Sequence, residues 1–177
     1  MPLTYKQLQR YLDIYPDETD VVQAFEALGS QNKKPNNVQI NGSAWIIKPS
    51  DHTVMLLNNT QRWPLPSGEL HSLYNTPETI QNIAKYSTQL ESDLTLIQNQ
   101  IFHLSIQYQP TIEDIPHHYI FDICMLYHIK EPYSIPSNPL FNWQNTADLL
   151  YNENFSHKLK RLAKKWQWMS FQILESV

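Results

Sequence analysis

His117 and His118 precede Asp122 by five and four residues, a set of donors that could ligate a metal ion. On an alternating strand, however, residues 118 and 122 share one face and residue 117 takes the other, so a structural role is the simpler reading. Ser87 has the hydroxyl of a nucleophile, but no His–acid partnership is legible around it. Lys158, Lys160, Arg161, Lys164 and Lys165 crowd one segment and could hold a phosphate backbone. A solvated helix face explains the same run. The net charge of −4 provides no general field for nucleic acid or anionic lipid and weighs against both. Trp63 and Tyr86 could stack a base, although aromatic core packing accounts for them more simply. Cys124 is the single cysteine, which excludes an internal disulfide and any multi-cysteine metal site. Its setting, "IFDICMLYHI", reads as a buried core thiol. The chain has only three glycines, and one of them, Gly68, stands in "QRWPLPSGEL", an odd stretch for a plain turn.

The elements that must position these groups follow from periodicity. "LTYKQLQRYLDIYP" carries Leu3, Leu8, Tyr11, Leu12 and Tyr15 at near-helical spacing, and Pro16 ends it. "DETDVVQAFEALG" predicts a second helix, with Asp17 as its cap and Gly29 at its end. "SQNKKPNN" is a polar linker, so residues 1–36 are set apart as an N-terminal helical extension and residues 37–177 as the main domain. "VQINGSAWIIK" and "TVMLLNN" flank the turn cluster "PSDH" as neighbouring strands. The Gly42-Ser43-Ala44 step predicts a close backbone approach or a bulge. "NTPETIQNIAKYSTQLESDL" predicts a helix over 76–91, with Thr76 as cap, Pro77 at the first position and Glu78 in the first turn. Two β-rich runs follow, "LTLIQNQIFHLSIQYQ" and "HHYIFDICMLYHI". Then come a short helix, "NTADLLYN", and a long one with Phe155, Leu159, Leu162, Trp166, Ser170 and Ile173 on one side. At 177 residues, 41% of them apolar, the chain can bury a proper core. No opening apolar stretch reads as a signal peptide, and no run approaches the roughly 18 apolar residues of a membrane span. A soluble cytoplasmic protein is the expectation.

A strand, a Trp-x-x-Pro-x-Gly turn, a helix bearing acids and further strands, in that order, resemble the Nudix (MutT-like) hydrolases. "WPLPSG" stands where that family has W-x-x-P-G-G, so Gly68 falls on the first glycine of its box, G-x5-E-x7-R-E-U-x-E-E-x-G-U. With "SLYN" as an insertion, Glu78 takes the first Glu, and "YSTQLESDL" lies on "REUxEExGU". Tyr86 then replaces Arg, Ser87 the next Glu, and Leu90 another Glu, while Glu91 is kept. "NGSAWII", "HHYIFDICMLYHI" and "LFNWQNTADLL" resemble further strands and a late Trp-containing segment of one branch, extending the likeness over roughly residues 38–150.

The resemblance implies an α/β/α sandwich with a mixed sheet, and metal-dependent attack of water on a nucleoside diphosphate linked to another group. In the family the Gly68 position brings the backbone close to a metal-bound diphosphate. Positions 87, 90 and 91, being i, i+3 and i+4, would share one helix face and gather Mg²⁺ or Mn²⁺. Here that face offers Ser, Leu and Glu, so metal binding is expected to be weak and no ion tightly held. The implied remnants are Glu91 and Glu78, with Glu91, the Gly68 backbone and Glu69 around a metal, and Gly68, Trp63 and Tyr86 around a nucleotide or other diphosphate-bearing small molecule. Glu69 and His71 are the loop groups that could replace lost ligands. Three readings follow. They are a hydrolase of weak activity, a binding or regulatory module that keeps the pocket, and a protein-interaction domain in which the pocket has closed.

Overall fold

The computed structural model describes residues 5–31, 33–48, 50–58, 64–73, 75–91, 93–137 and 139–175, the last five of these in backbone only. Helix α1 (Tyr5–Ile14) leads through a 3-10 turn (Pro16–Glu18) into α2 (Thr19–Gly29). Strands β1 (Val38–Lys48), β2 (Thr53–Leu57) and β3 (Ser67–Glu69) precede α3 (Thr76–Thr88). Strands β4 (Leu94–Gln109), β5 (His118–Ile129) and β6 (Phe141–Asn145) follow, and α4 (Thr146–Tyr151) and α5 (His157–Glu175) close the chain.

The sheet runs β4-β5-β1-β2-β6. β1 lies at its centre because its neighbours divide it: β5 pairs with it in parallel from Val38↔Tyr119 to Ile47↔His128, β3 takes Asn41–Ser43, and β2 takes Ile47 and Lys48. Alternation along β1 then sorts the core into two layers. Ile40, Ala44 and Ile46 face α1, α2 and α3 through Leu8, Phe25, Ile80 and Ala84. Trp45 and Ile47 face the other way, onto α5 through Leu159, Leu162 and Trp166. The result is the expected mixed-sheet sandwich, with the N-terminal helices sharing the core of the sheet.

Local departures have local causes. Asp17 caps nothing: it sits exposed in the 3-10 turn, and α2 begins two residues later. Thr76 is the first residue of α3 rather than its cap, its hydroxyl donating to the Leu73 carbonyl at 3.0 Å, while Asn75 before it has φ 49°. Pro77 does stand in the first turn. The predicted helix over 76–91 stops at Thr88, because Gln89 turns left-handed at φ 56° and its N–H bonds back to the Lys85 carbonyl. The predicted close approach at Gly42 is found: an added Cβ there would run into Ile80 of α3 and come within 3.1 Å of Leu70 Cδ1.

Candidate functional site

The early end of α3 disperses the positions expected to hold metal. Ser87 is still helical, and its hydroxyl donates to the Ile83 carbonyl one turn back. Leu90 is off the helix, 4% exposed and part of the core. Glu91 lies beyond it, on the surface. The three therefore do not share a helix face. Glu78 is exposed in the first turn of α3, at the other end of the helix. Glu69, also exposed, makes an ion pair with Lys34 at 3.4 Å. At Gly68 an added Cβ would meet Ile83 Cγ2 at 3.2 Å, so the missing side chain makes room for α3. Tyr86 does not pack in the core; it is 90% exposed. His71 is exposed, and Trp63 lies outside the described residues. Among the described residues no three His, Cys, Asp or Glu side chains gather where one ion could reach them. These donors do not fit a Mg²⁺ or Mn²⁺ cluster held on α3.

His118 and Asp122 share a strand face as predicted, each with its own polar partners. Asp122 is buried, accepts from the Ser43 hydroxyl at 2.9 Å and lies 3.6 Å from Lys158 Nζ. Burial raises its carboxyl above the usual range, with Lys158 and Ser43 opposing. His118 Nδ1 stands 3.2 Å from the Pro116 carbonyl. Cys124 is buried as expected, its thiol pushed up to about 12 by burial and so chemically quiet.

What the structure does bring together is a cleft of about 570 Å³ at the start of β1 and β5. Lys34, Asn36, Asn37 and Gln39 form one wall, Ile115, His117 and His118 the other, and Glu69 closes one side. The linker "SQNKKPNN", read in the sequence only as a connector, supplies Lys34, Asn36 and Asn37. The signal was its amides and lysines immediately ahead of a buried strand.

The cations of α5 depart further from expectation. The run was read as a solvated face, yet Lys165 is 7% exposed. Its Nζ lies 2.8 Å from Glu18 Oε1, 2.6 Å from Tyr11 Oη and 2.9 Å from His103 Nδ1. An ammonium only donates, so His103 accepts through Nδ1 and carries its proton on Nε2. Tyr11 Oη donates to Glu18 Oε2 and accepts the Leu104 N–H at 3.1 Å, and Arg161 donates to Glu18 Oε1 at 2.7 Å. Burial pushes Lys165 down to about 8 even though Glu18 pulls the other way. Burial would raise Glu18, but hydrogen bonds from Lys165 and Tyr11 and the charges of Lys165 and Arg161 hold it below the usual carboxylate range. Burial, and then the charges of Lys165, Lys158 and Arg161, hold His103 well below 6.5, so it is neutral. With every donor of Lys165 occupied, this network ties α1 and the 3-10 turn to α5 around the outer edge of β4.

Known structures share this architecture. The MutT protein of Methanosarcina mazei Go1 matches with a TM-score of 0.54 at 12% identity, over 80% of this chain and 99% of that one. The Ap4A hydrolase of C. elegans matches at 0.52 and 10%, over 75% and 98%. A NUDIX-family hydrolase of Clostridium perfringens matches at 0.50 and 14%, over 73% and 97%. No protein-family model matches the chain, and no curated protein matches it in sequence. The chain has the Nudix/MutT hydrolase fold. Among its described residues no helix is long and apolar enough to cross a membrane.

Proposed function

We propose that this protein is a Nudix-fold binding or regulatory module whose hydrolytic box has decayed, so that hydrolysis of nucleoside diphosphate derivatives is weak or absent. One observation carries the reading: Leu90, at the position matched to a box carboxylate, is a core residue beyond the end of α3. An apolar side chain there fills space that an ion and its waters would need. The ligand we assign is a nucleotide or other diphosphate-bearing small molecule, held in the cleft between residues 34–39 and 115–118. Lys34, His117 and His118 supply donors for phosphate oxygens, and the amides of Asn36, Asn37 and Gln39 suit a base or ribose. In this reading residues 37–177 form the Nudix-like domain, and the extension 1–36 contributes a wall of its cleft.

Calorimetry tests it. Mn²⁺ alone should give no dissociation constant in the low micromolar range. ADP without metal should bind, and Lys34→Ala combined with His118→Ala should weaken it. Tight Mn²⁺ binding that is lost in Glu91→Gln would overturn the decay of the box. Absence of ADP binding would remove the nucleotide ligand and leave the interaction-domain reading.

A further inference from the structure

A cleft of about 690 Å³ opens between the β2–β6 side of the sheet and the turn that joins α4 to α5. That volume lies within the range of about 300–1,000 Å³ usual for small-molecule sites. Leu56, Leu159 and Pro64 are buried along it, and Phe155 is half-buried against the same core. The rest of its lining is largely carboxamide. Asn58, Asn142 and Gln144 stand on the sheet side, and Asn154 comes from the turn. Among the described residues no Lys, Arg, His, Asp or Glu lines it.

Asn142 and Gln144 are two apart on β6, so both side chains take the face of Leu56, which is opposite Asn142 in the register. A carbonyl fixes how the amides point. The Pro139 carbonyl only accepts, so Asn58 turns Nδ2 toward it, at 3.2 Å, and Oδ1 toward Asn142. Asn142 Nδ2 then donates to Asn58 Oδ1 at 2.9 Å, and Gln144 Nε2 to Asn142 Oδ1 at 3.3 Å. This relay leaves Gln144 Oε1 and the second N–H of each amide without a partner among the described residues. Across the cleft, Asn152 Oδ1 accepts the Asn154 N–H at 2.9 Å, and Ser156 Oγ accepts the Leu159 N–H at 3.2 Å. Those bonds hold the second wall and cap α5. They leave the Asn154 carboxamide and the Ser156 hydroxyl proton unengaged among the described residues.

We propose that this cleft binds a neutral carbohydrate, a mono- or disaccharide. A phosphate or carboxylate would meet no cation among its lining residues, and an ammonium no carboxylate, so a charged ligand would lose water without gaining a counter-ion. A wholly apolar ligand would cover the free amide groups and leave them unsatisfied. A sugar avoids both costs. Each hydroxyl donates and accepts, so it can meet either end of a carboxamide, and hydroxyls set around a ring suit polar groups on two facing walls. The C–H face of the ring can lie on Leu56, Leu159 and Phe155. This site shares no residue with the cleft of Lys34 and His118 and does not depend on a nucleotide binding there.

Hydrogen bonds to a sugar replace hydrogen bonds to water, so a dissociation constant of about 0.1–10 mM is expected. Two-dimensional NMR of the isotope-labelled full chain reads it, with glucose, galactose, mannose, N-acetylglucosamine, maltose and lactose as probes and sorbitol and adenosine as controls. At least one sugar should shift the side-chain amides of Asn142, Gln144 and Asn154 and reach saturation. Asn142→Ala combined with Gln144→Ala should weaken that sugar at least several-fold while the remaining spectrum keeps its dispersion. Asn154→Ala, an exposed change on the opposite wall, should weaken it too. Lys34→Ala combined with His118→Ala should leave it unchanged. The proposal is overturned if no sugar moves these resonances, or if both sets of alanine variants bind like the wild type. An equal response to sorbitol, an open-chain polyol, would also overturn it. So would adenosine saturating the same resonances more tightly than every sugar, which would make the cleft a base site.

Discussion

Gly42 and Gly68 stand directly opposite each other in the register of β1 and β3, and α3 seats an isoleucine on each, Ile80 on Gly42 and Ile83 on Gly68. Both glycines lack a side chain for the same reason, which is the closeness of the helix. Gly68 thus serves packing against α3, whatever its backbone does toward a diphosphate. Alanine at position 42 must displace Ile80 and should destabilise by about 1–3 kcal/mol in urea unfolding. Alanine at 68 meets its neighbour less severely and should cost about 1 kcal/mol or less. Gly68→Ala that leaves stability unchanged but removes ADP binding would return the glycine to the ligand.

The buried state of Leu90 separates an open ancestral site from a closed one. Leu90→Glu should cost roughly 3 kcal/mol or more, because the side chain is 4% exposed and packed in the core. Ser87→Glu, on the last turn of α3, should stay within about 1 kcal/mol of wild type. The double variant should melt early and gain no Mn²⁺ affinity. A stable double variant that binds Mn²⁺ would show that the site around Leu90 opens.

The network around Lys165 predicts a stability that rises with pH. Burial lowers the folded pKa of this lysine from 10.5 to about 8. Below 8 both states hold the proton, and the fold bears the cost of burying it. Between about 8 and 10.5 the unfolded chain still binds a proton that the folded one has released, so unfolding becomes harder, by up to about 3 kcal/mol. Glu18 acts in the opposite window. Its folded value is depressed, so its contribution is present above the unfolded value and is lost as pH falls through the folded one. Burial of Cys124, Tyr11, Tyr15 and Tyr127 acts the opposite way at alkaline pH, so the test is a difference: between pH 7 and pH 10 in urea unfolding, the wild type should gain about 2–3 kcal/mol relative to Lys165→Met. Equal slopes in the two proteins would mean that Lys165 is not the group responsible.

The parts of the fold legible in the sequence were those governed by local pattern. Apolar runs such as "SAWII" and "FDICMLY" marked the central strands, and Pro77 marked the start of α3. The end of α3 was not legible, because a glutamine, Gln89, takes the left-handed turn usually given to glycine. That residue decides where Leu90 and Glu91 go. The burial of Lys165 was not legible because its partner Tyr11 lies 154 residues away, and no periodicity reports so distant a pair; Arg161 and Lys164 are exposed as expected. The cleft was missed because its amides sit in a linker, and what they face is set by the packing of the β4–β5 hairpin.

The central claim is that α3 no longer assembles a hydrolytic centre, and turnover measures it most directly. Purified protein should be given diadenosine tetraphosphate and ADP-ribose with Mg²⁺ or Mn²⁺, and nucleotide products followed by chromatography. The account predicts rates far below about 1 per second, unchanged by Glu91→Gln. Turnover at about 1 per second or faster, abolished by Glu91→Gln, would contradict it.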